Sequence, residues 1–144
     1  MRKLFFLSLF LCFTLFVSAQ KNHFGMFLGY SYNLNEITAQ FETLYGNKCM
    51  CGSSGSIYSA MIFSECDYKG VPFGSCDVYF SGNKFWKIIY KNIKVDENQF
   101  LEYLQTEYEQ YAVSENEFRY GDVSIIFKDG DLHFVSNKVT RSLF

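Results

Sequence analysis

PFGSCDVYFSGNKFWKIIYKNI, residues 72–93, reads as a central β-hairpin, and the rest of the chain is placed around it. Cys76, Val78 and Phe80 alternate with Ser75, Asp77 and Tyr79, and Trp86, Ile88 and Tyr90 alternate with Lys87, Ile89 and Lys91. Period-two alternation of aromatic and β-branched residues is the signature of a half-buried strand. Gly82 and Asn83 suit a tight turn because both tolerate positive φ. A three-residue loop, 81–83, sets Val78 opposite Trp86 and Cys76 opposite Ile88. A two-residue loop would set Val78 opposite Lys87, so the hydrophobic pattern favours the longer one. Tyr79 and Ile89 leave the second face partly apolar, so that face is either covered or a contact surface.

Before the hairpin, residues 57–66 read as a central strand with apolar residues on both faces. Asp67-Tyr68-Lys69-Gly70 turns the chain back, and Pro72 fits a strand start or edge. Leu34, Ile37, Phe41 and Leu44 form one apolar stripe of a helix, Leu34–Tyr45, capped by Asn33 and ended by Gly46. Residues 20–32 are a polar start and a Gly-punctuated apolar piece in which Phe24–Leu28 is a short strand or an extended lead-in. Residues 46–56, GNKCMCGSSGS, read as a structureless surface loop. A Gly/Ser loop can cradle phosphate when a helix start comes after it, but here a strand pattern comes next.

Beyond the hairpin, Asp96 caps a second helix, Glu97–Ala112, with Phe100, Leu101, Leu104, Tyr108 and Tyr111 on its apolar face. Its Glu102, Gln105 and Glu109 read as a solvated face. Phe118–Phe127 and Leu132–Val139 flank Lys128-Asp129-Gly130-Asp131, a type I′ hairpin signal that sets Phe127 opposite Leu132 and Ile125 opposite Phe134. The order is then α-β-β-β-α-β-β. It predicts an α+β, two-layer domain with an antiparallel sheet of about five strands and two helices on one face.

The chain opens Met1-Arg2-Lys3, runs apolar from Leu4 to Val17 and reaches Ser18-Ala19-Gln20. These are the three parts of a secretory signal, with cleavage after Ala19. The apolar run falls short of the ~20 residues that span a bilayer. Residues 1–19 are therefore a signal and 20–144 a single domain, exported to the periplasm or the medium, with no membrane span after cleavage. Removing Arg2 and Lys3 takes the formal charge from −2 to near −4, and there is no basic run, which argues against nucleic acid.

Four cysteines lie beyond the signal: Cys49, Cys51, Cys66 and Cys76. In an exported chain they are disulfide candidates, with Cys66–Cys76 and the two crossed pairings all open. The Cys-x-Cys spacing suits neither structural zinc nor the Cys-x-x-Cys redox motif. No metal or other cofactor is expected. His23 lies near the new N-terminus and reads as exposed, and His133 reads as a solvated strand histidine. There is no Gly-x-Ser-x-Gly elbow, His-Glu-x-x-His, P-loop or dinucleotide fingerprint.

Phe27-Leu28-Gly29-Tyr30-Ser31-Tyr32-Asn33, a helix ending at Tyr45-Gly46, and Tyr68-Lys69-Gly70-Val71-Pro72-Phe73 with Val78-Tyr79-Phe80 resemble small exported bacterial α+β modules of the β-lactamase-inhibitor-protein type. The resemblance covers residues 33–93. It implies a helix leading into an antiparallel sheet and carries no functional residue across. The small outer-membrane-assembly lipoprotein shares this form, but its lipid-attachment cysteine is lacking here. The expected function is a small exported, non-enzymatic binding domain that meets another protein or an envelope component. Its anchors would be Tyr79, Phe85 and Ile89 on the sheet face free of helices. The alternative is a thiol-dependent or hydrolytic enzyme using Cys49 or Cys51.

Overall fold

The structure is a computed structural model and describes residues 23–142, so the expected signal at 1–19 lies outside the described residues. An antiparallel sheet carries strands β1 (Cys49–Ser54), β2 (Ile57–Ile62), β3 (Cys66–Tyr68), β4 (Val71–Ser81), β5 (Lys84–Ile93), β6 (Glu117–Tyr120), β7 (Val123–Lys128) and β8 (Asp131–Ser136). Helices α1 (Leu34–Tyr45), α2 (Glu97–Glu107) and α3 (Asn137–Ser142) accompany it. The lateral order is β1-β2-β4-β5-β8-β7-β6, and short β3 pairs with the first residues of β4.

The α+β class and the antiparallel sheet agree with the sequence; the count does not. Eight strands replace five, and a third short helix comes after the last strand. Three local features account for this. Residues 46–56 are not a loop: one 3-10 turn leads into β1, whose every residue pairs with β2. The backbone bonds offered by β2 override the weak strand propensity of Cys-Met-Cys-Gly-Ser-Ser. Gly121-Asp122 breaks the expected strand 118–127 into β6 and β7. Cys66–Tyr68 pairs across Lys69-Gly70 with Val71–Phe73 and becomes β3.

The central hairpin is present with a different turn. Ser81 pairs with Lys84, so the loop is Gly82-Asn83, with Gly82 at φ +58°. A β-bulge then falls between Tyr79 and Phe80, leaving Trp86 as the extra residue of β5. Beyond it Val78 faces Ile88 and Cys76 faces Tyr90. The bulge thus recovers the parity that a two-residue loop alone would lose. The Asp129-Gly130 turn is as expected: both residues have positive φ, Phe127 faces Leu132 and Ile125 faces Phe134.

Pairing aligns the core into transverse rows. One runs Cys49, Ile62, Cys76, Tyr90, Leu132, Phe127, and the next runs Cys51, Ala60, Val78, Ile88, Phe134, Ile125, Phe118. Ile37 and Phe41 of α1 and Phe100 and Leu104 of α2 join this face, where Phe100 packs on Phe73 and Phe127. Asn33 caps α1 by accepting from the Asn35 and Glu36 amides, and Asp96 caps α2 by accepting from Gln99. Helix α2 ends at Glu107, short of the expected Ala112. Tyr108 leaves helical geometry, packs on Phe118, and its hydroxyl meets that of Tyr68 at 3.0 Å.

Gly130 has φ +80°, and a Cβ there would lie 3.0 Å from Glu97 Oε1. Gly130→Ala should therefore lower unfolding free energy by at least about 1 kcal/mol, read by urea denaturation. An unchanged midpoint would show that the turn relaxes freely.

Candidate functional site

The segment before α1 is neither a strand nor an extended lead-in. Phe24 and Gly25 both take positive φ, and the Met26 amide donates to the His23 carbonyl, closing a tight turn. The chain then straps across the end of the central hairpin. Gly29 N–H donates to the Phe85 carbonyl, Phe85 N–H to the Tyr30 carbonyl, and Tyr32 N–H to the Asn83 carbonyl. Phe27 N–H donates to the Tyr32 hydroxyl at 2.6 Å.

This strap carries His23 into the core. Expected to be exposed, His23 is fully buried. Its ring lies 4.5 Å from that of Phe134 and about 6 Å from those of Tyr68, Phe85 and Tyr90. Nδ1 is 2.9 Å from the Tyr90 hydroxyl, while Nε2 has no hydrogen-bond partner among the described residues. Burial, with the nearby Lys69 charge second, pulls the His23 pKa down to about 3. The imidazole is neutral at ordinary pH.

A cavity of about 520 Å³ opens beside it. Its walls are strap residues 27–31, Tyr108, the β6–β7 turn at Tyr120–Val123, and Phe134, Ser136 and Lys138 at the end of β8 and start of α3. This is the size of a small-molecule site, and one or two polar groups in an aromatic wall is the usual chemistry of such sites. The interior hydroxyls are neutral: burial pushes Tyr108 up to about 12 and raises Tyr68 further. Charge sits at the mouth, on exposed Asp122 and Lys138.

The expected contact face is arranged differently. Tyr79 and Ile89 do share the face away from the helices, with Met61, Asp77, His133, Val135 and Ile126 along the same rows. Phe85 does not: the two-residue turn places it opposite Phe80, fully buried in the core and against His23. Trp86, the bulge residue, packs on Tyr79 instead, and Lys87 lies over both rings. Asp77 is nearly buried and forms an ion pair with Lys91. His133, half-buried on this face, has its pKa lowered by burial and by Lys87.

No two of the four described cysteines lie at disulfide distance. Cys49 and Cys51 are 3.6 Å apart at sulfur, while Cys66 and Cys76 are buried and the Cys66 thiol donates to the Ser64 carbonyl. No histidine stands beside Cys49 or Cys51: His23 sits among Tyr68, Phe85 and Phe134, and His133 is on the opposite sheet face. A Cys–His hydrolytic pair is thus not assembled among the described residues. Among those residues no group of three or more His, Cys, Asp or Glu is placed to hold a metal, and no helix is long and apolar enough to cross a membrane.

The strap site is hidden in the sequence because His23 is a single polar residue beside the polar run Gln20-Lys21-Asn22. The available signal is the apolar run on its C-terminal side: Phe24-Gly25-Met26-Phe27-Leu28 must be anchored, and an anchored chain carries its neighbour inward. No family model matches the chain, and neither curated proteins nor solved structures yield a similar one. The resemblance to exported bacterial modules rests on its short motifs alone.

Proposed function

We propose that the protein is a small exported binding domain, not an enzyme, and that it holds a small, partly aromatic ligand in the strap cavity. The observation that carries this reading is the buried Nε2 of His23, which has no partner among the described residues, on a side chain that lines that cavity. A buried nitrogen left unpaired is costly, and a ligand hydroxyl or amide would satisfy it. The same imidazole is a poor general base, because its pKa lies far below the operating pH. Binding rather than proton transfer is the better use of it.

Phenol and indole, compared with toluene, test the reading by ¹⁵N NMR of the His23 ring. The polar probes should bind at about millimolar Kd and shift Nε2, toluene should bind more weakly, and His23→Leu should abolish the difference. Equal binding of all three, or an unchanged preference in His23→Leu, would sink it.

A second reading, contact with another protein or an envelope component, is supported by the open sheet face. Tyr79 and Trp86 gather there beside Ile89, which is itself buried, and Trp86 Nε1 is buried without a partner among the described residues. Trp86→Ser with Ile89→Ser should reduce pull-down of a native partner while circular dichroism stays unchanged. Loss of the fold would assign these residues to packing alone.

A further inference from the structure

The edge strand β1 carries two thiols that the cavity does not use. Cys49 and Cys51 are two residues apart, so they share one face of the strand, and their sulfurs are 3.6 Å apart. Strand β1 ends the sheet, and both residues are partly accessible, whereas Cys66 and Cys76 are sealed in the interior. The Tyr58 hydroxyl lies beside Cys51 and is hydrogen-bonded to Thr38 of α1. The Cys51 sulfur thus has the Cys49 sulfur and the Tyr58 hydroxyl as neighbours. Burial, the bond to Cys51 and the charges of Cys51 and Glu42 hold the Cys49 thiol up to about 12. Cys49 therefore keeps its proton at ordinary pH. Once Cys51 is engaged in a covalent bond, two of those causes vanish.

We propose that Cys49 and Cys51 form a redox-active dithiol that undergoes thiol–disulfide exchange, with Cys51 attacking and Cys49 resolving. The Cys51 thiolate attacks one sulfur of a small disulfide, forming a mixed disulfide and releasing one thiolate. Cys49 then attacks the Cys51 sulfur, closes the Cys49–Cys51 bond and releases the second thiolate. The pair loses two electrons and two protons, and the small disulfide gains them and leaves as two thiols.

The bond so formed is easily reversed. Residues i and i+2 of an extended strand lie about 6.6–6.8 Å apart, at the upper end of the span a disulfide accepts. Closure must pucker Met50 out of the strand, and strained disulfides are the readily reduced ones. An edge strand can accept that distortion because its outer side has no neighbour in the sheet.

The test uses bis(2-hydroxyethyl) disulfide as the probe on the folded protein, with free thiols alkylated afterwards. Cyanogen bromide then cuts after Met26, Met50 and Met61, so fragments 27–50, 51–61 and 62–144 carry Cys49, Cys51 and the Cys66–Cys76 pair separately. The expected result is 27–50 joined to 51–61 and released by a small excess of thiol. Cys49→Ser should stop at a mixed disulfide on Cys51, and Cys51→Ser should react about tenfold more slowly. Fragment 62–144 joined to either of the others would assign the cysteines to structural cross-links and overturn the proposal. Reaction of Cys51 no faster than in urea-unfolded protein would also overturn it.

Discussion

Acidification from about pH 7 to pH 3 should remove about 4 kcal/mol of stability through His23 alone. Its folded pKa is about 3 against an ordinary value of 6.5, because burial opposes the imidazolium and the Lys69 charge adds to that opposition. The unfolded state therefore binds the proton more readily throughout the window between those values. Stability is full above about pH 6.5, falls as pH drops through the window, and levels off below the folded pKa. Carboxylates titrate in the lower part of the same range, so the wild-type curve alone is not diagnostic. The difference between wild type and His23→Leu is. Urea unfolding monitored by the single tryptophan, Trp86, should show wild-type stability falling by about 4 kcal/mol relative to His23→Leu as pH falls, whatever the difference between the two at pH 7. Parallel curves would show that His23 reaches water in the folded protein.

Phe134→Ala should cost about 3–5 kcal/mol. Phe134 is 1% exposed, sits between Ile88 and Ile125 in a core row, and packs on the rings of His23, Tyr68 and Tyr90. Few of these neighbours can collapse into the space, since each is fixed by the sheet register or by the strap. Against a domain stability of about 5–15 kcal/mol, the loss leaves a marginal protein. Thermal and urea unfolding should both show it, while Met50→Ala, at a site 63% exposed, should stay within about 0.5 kcal/mol of wild type. A loss under about 1 kcal/mol for Phe134→Ala would mean that the rows do not form one packed core.

Local rules account for the parts of the fold that are legible in the sequence. The helix from Leu34 is readable because an Asn cap, an apolar stripe and a Gly stop coincide, and the Asp129-Gly130 hairpin because its turn chemistry fixes its register. β1 is not readable: its residues have little strand propensity, and only the neighbouring β2 makes them a strand. The central turn fails on one residue. Alternation shows that Val78 and Ile88 share a face, but a three-residue loop and a two-residue loop with a bulge both satisfy that parity. That ambiguity moves Phe85 from the open face to the core and puts Trp86 in its place. The cavity is illegible for a different reason. It is made by the strap, the β6–β7 turn and the end of β8, which sequence spacing does not relate. Cys49 and Cys51 are visible as a pair, but the Tyr58 hydroxyl beside them depends on the pairing of β1 with β2.

The sheet is two runs of hairpins joined along the single seam between β5 and β8, where Lys87–Tyr90 meets Leu132–Val135. Tight-turn hairpins of this kind close in about 1–10 μs, whereas the seam must wait for the chain through α2 to bring its ends together. The strap is bonded to the first run and the remaining cavity walls belong largely to the second. The cavity therefore comes into being only when the seam closes.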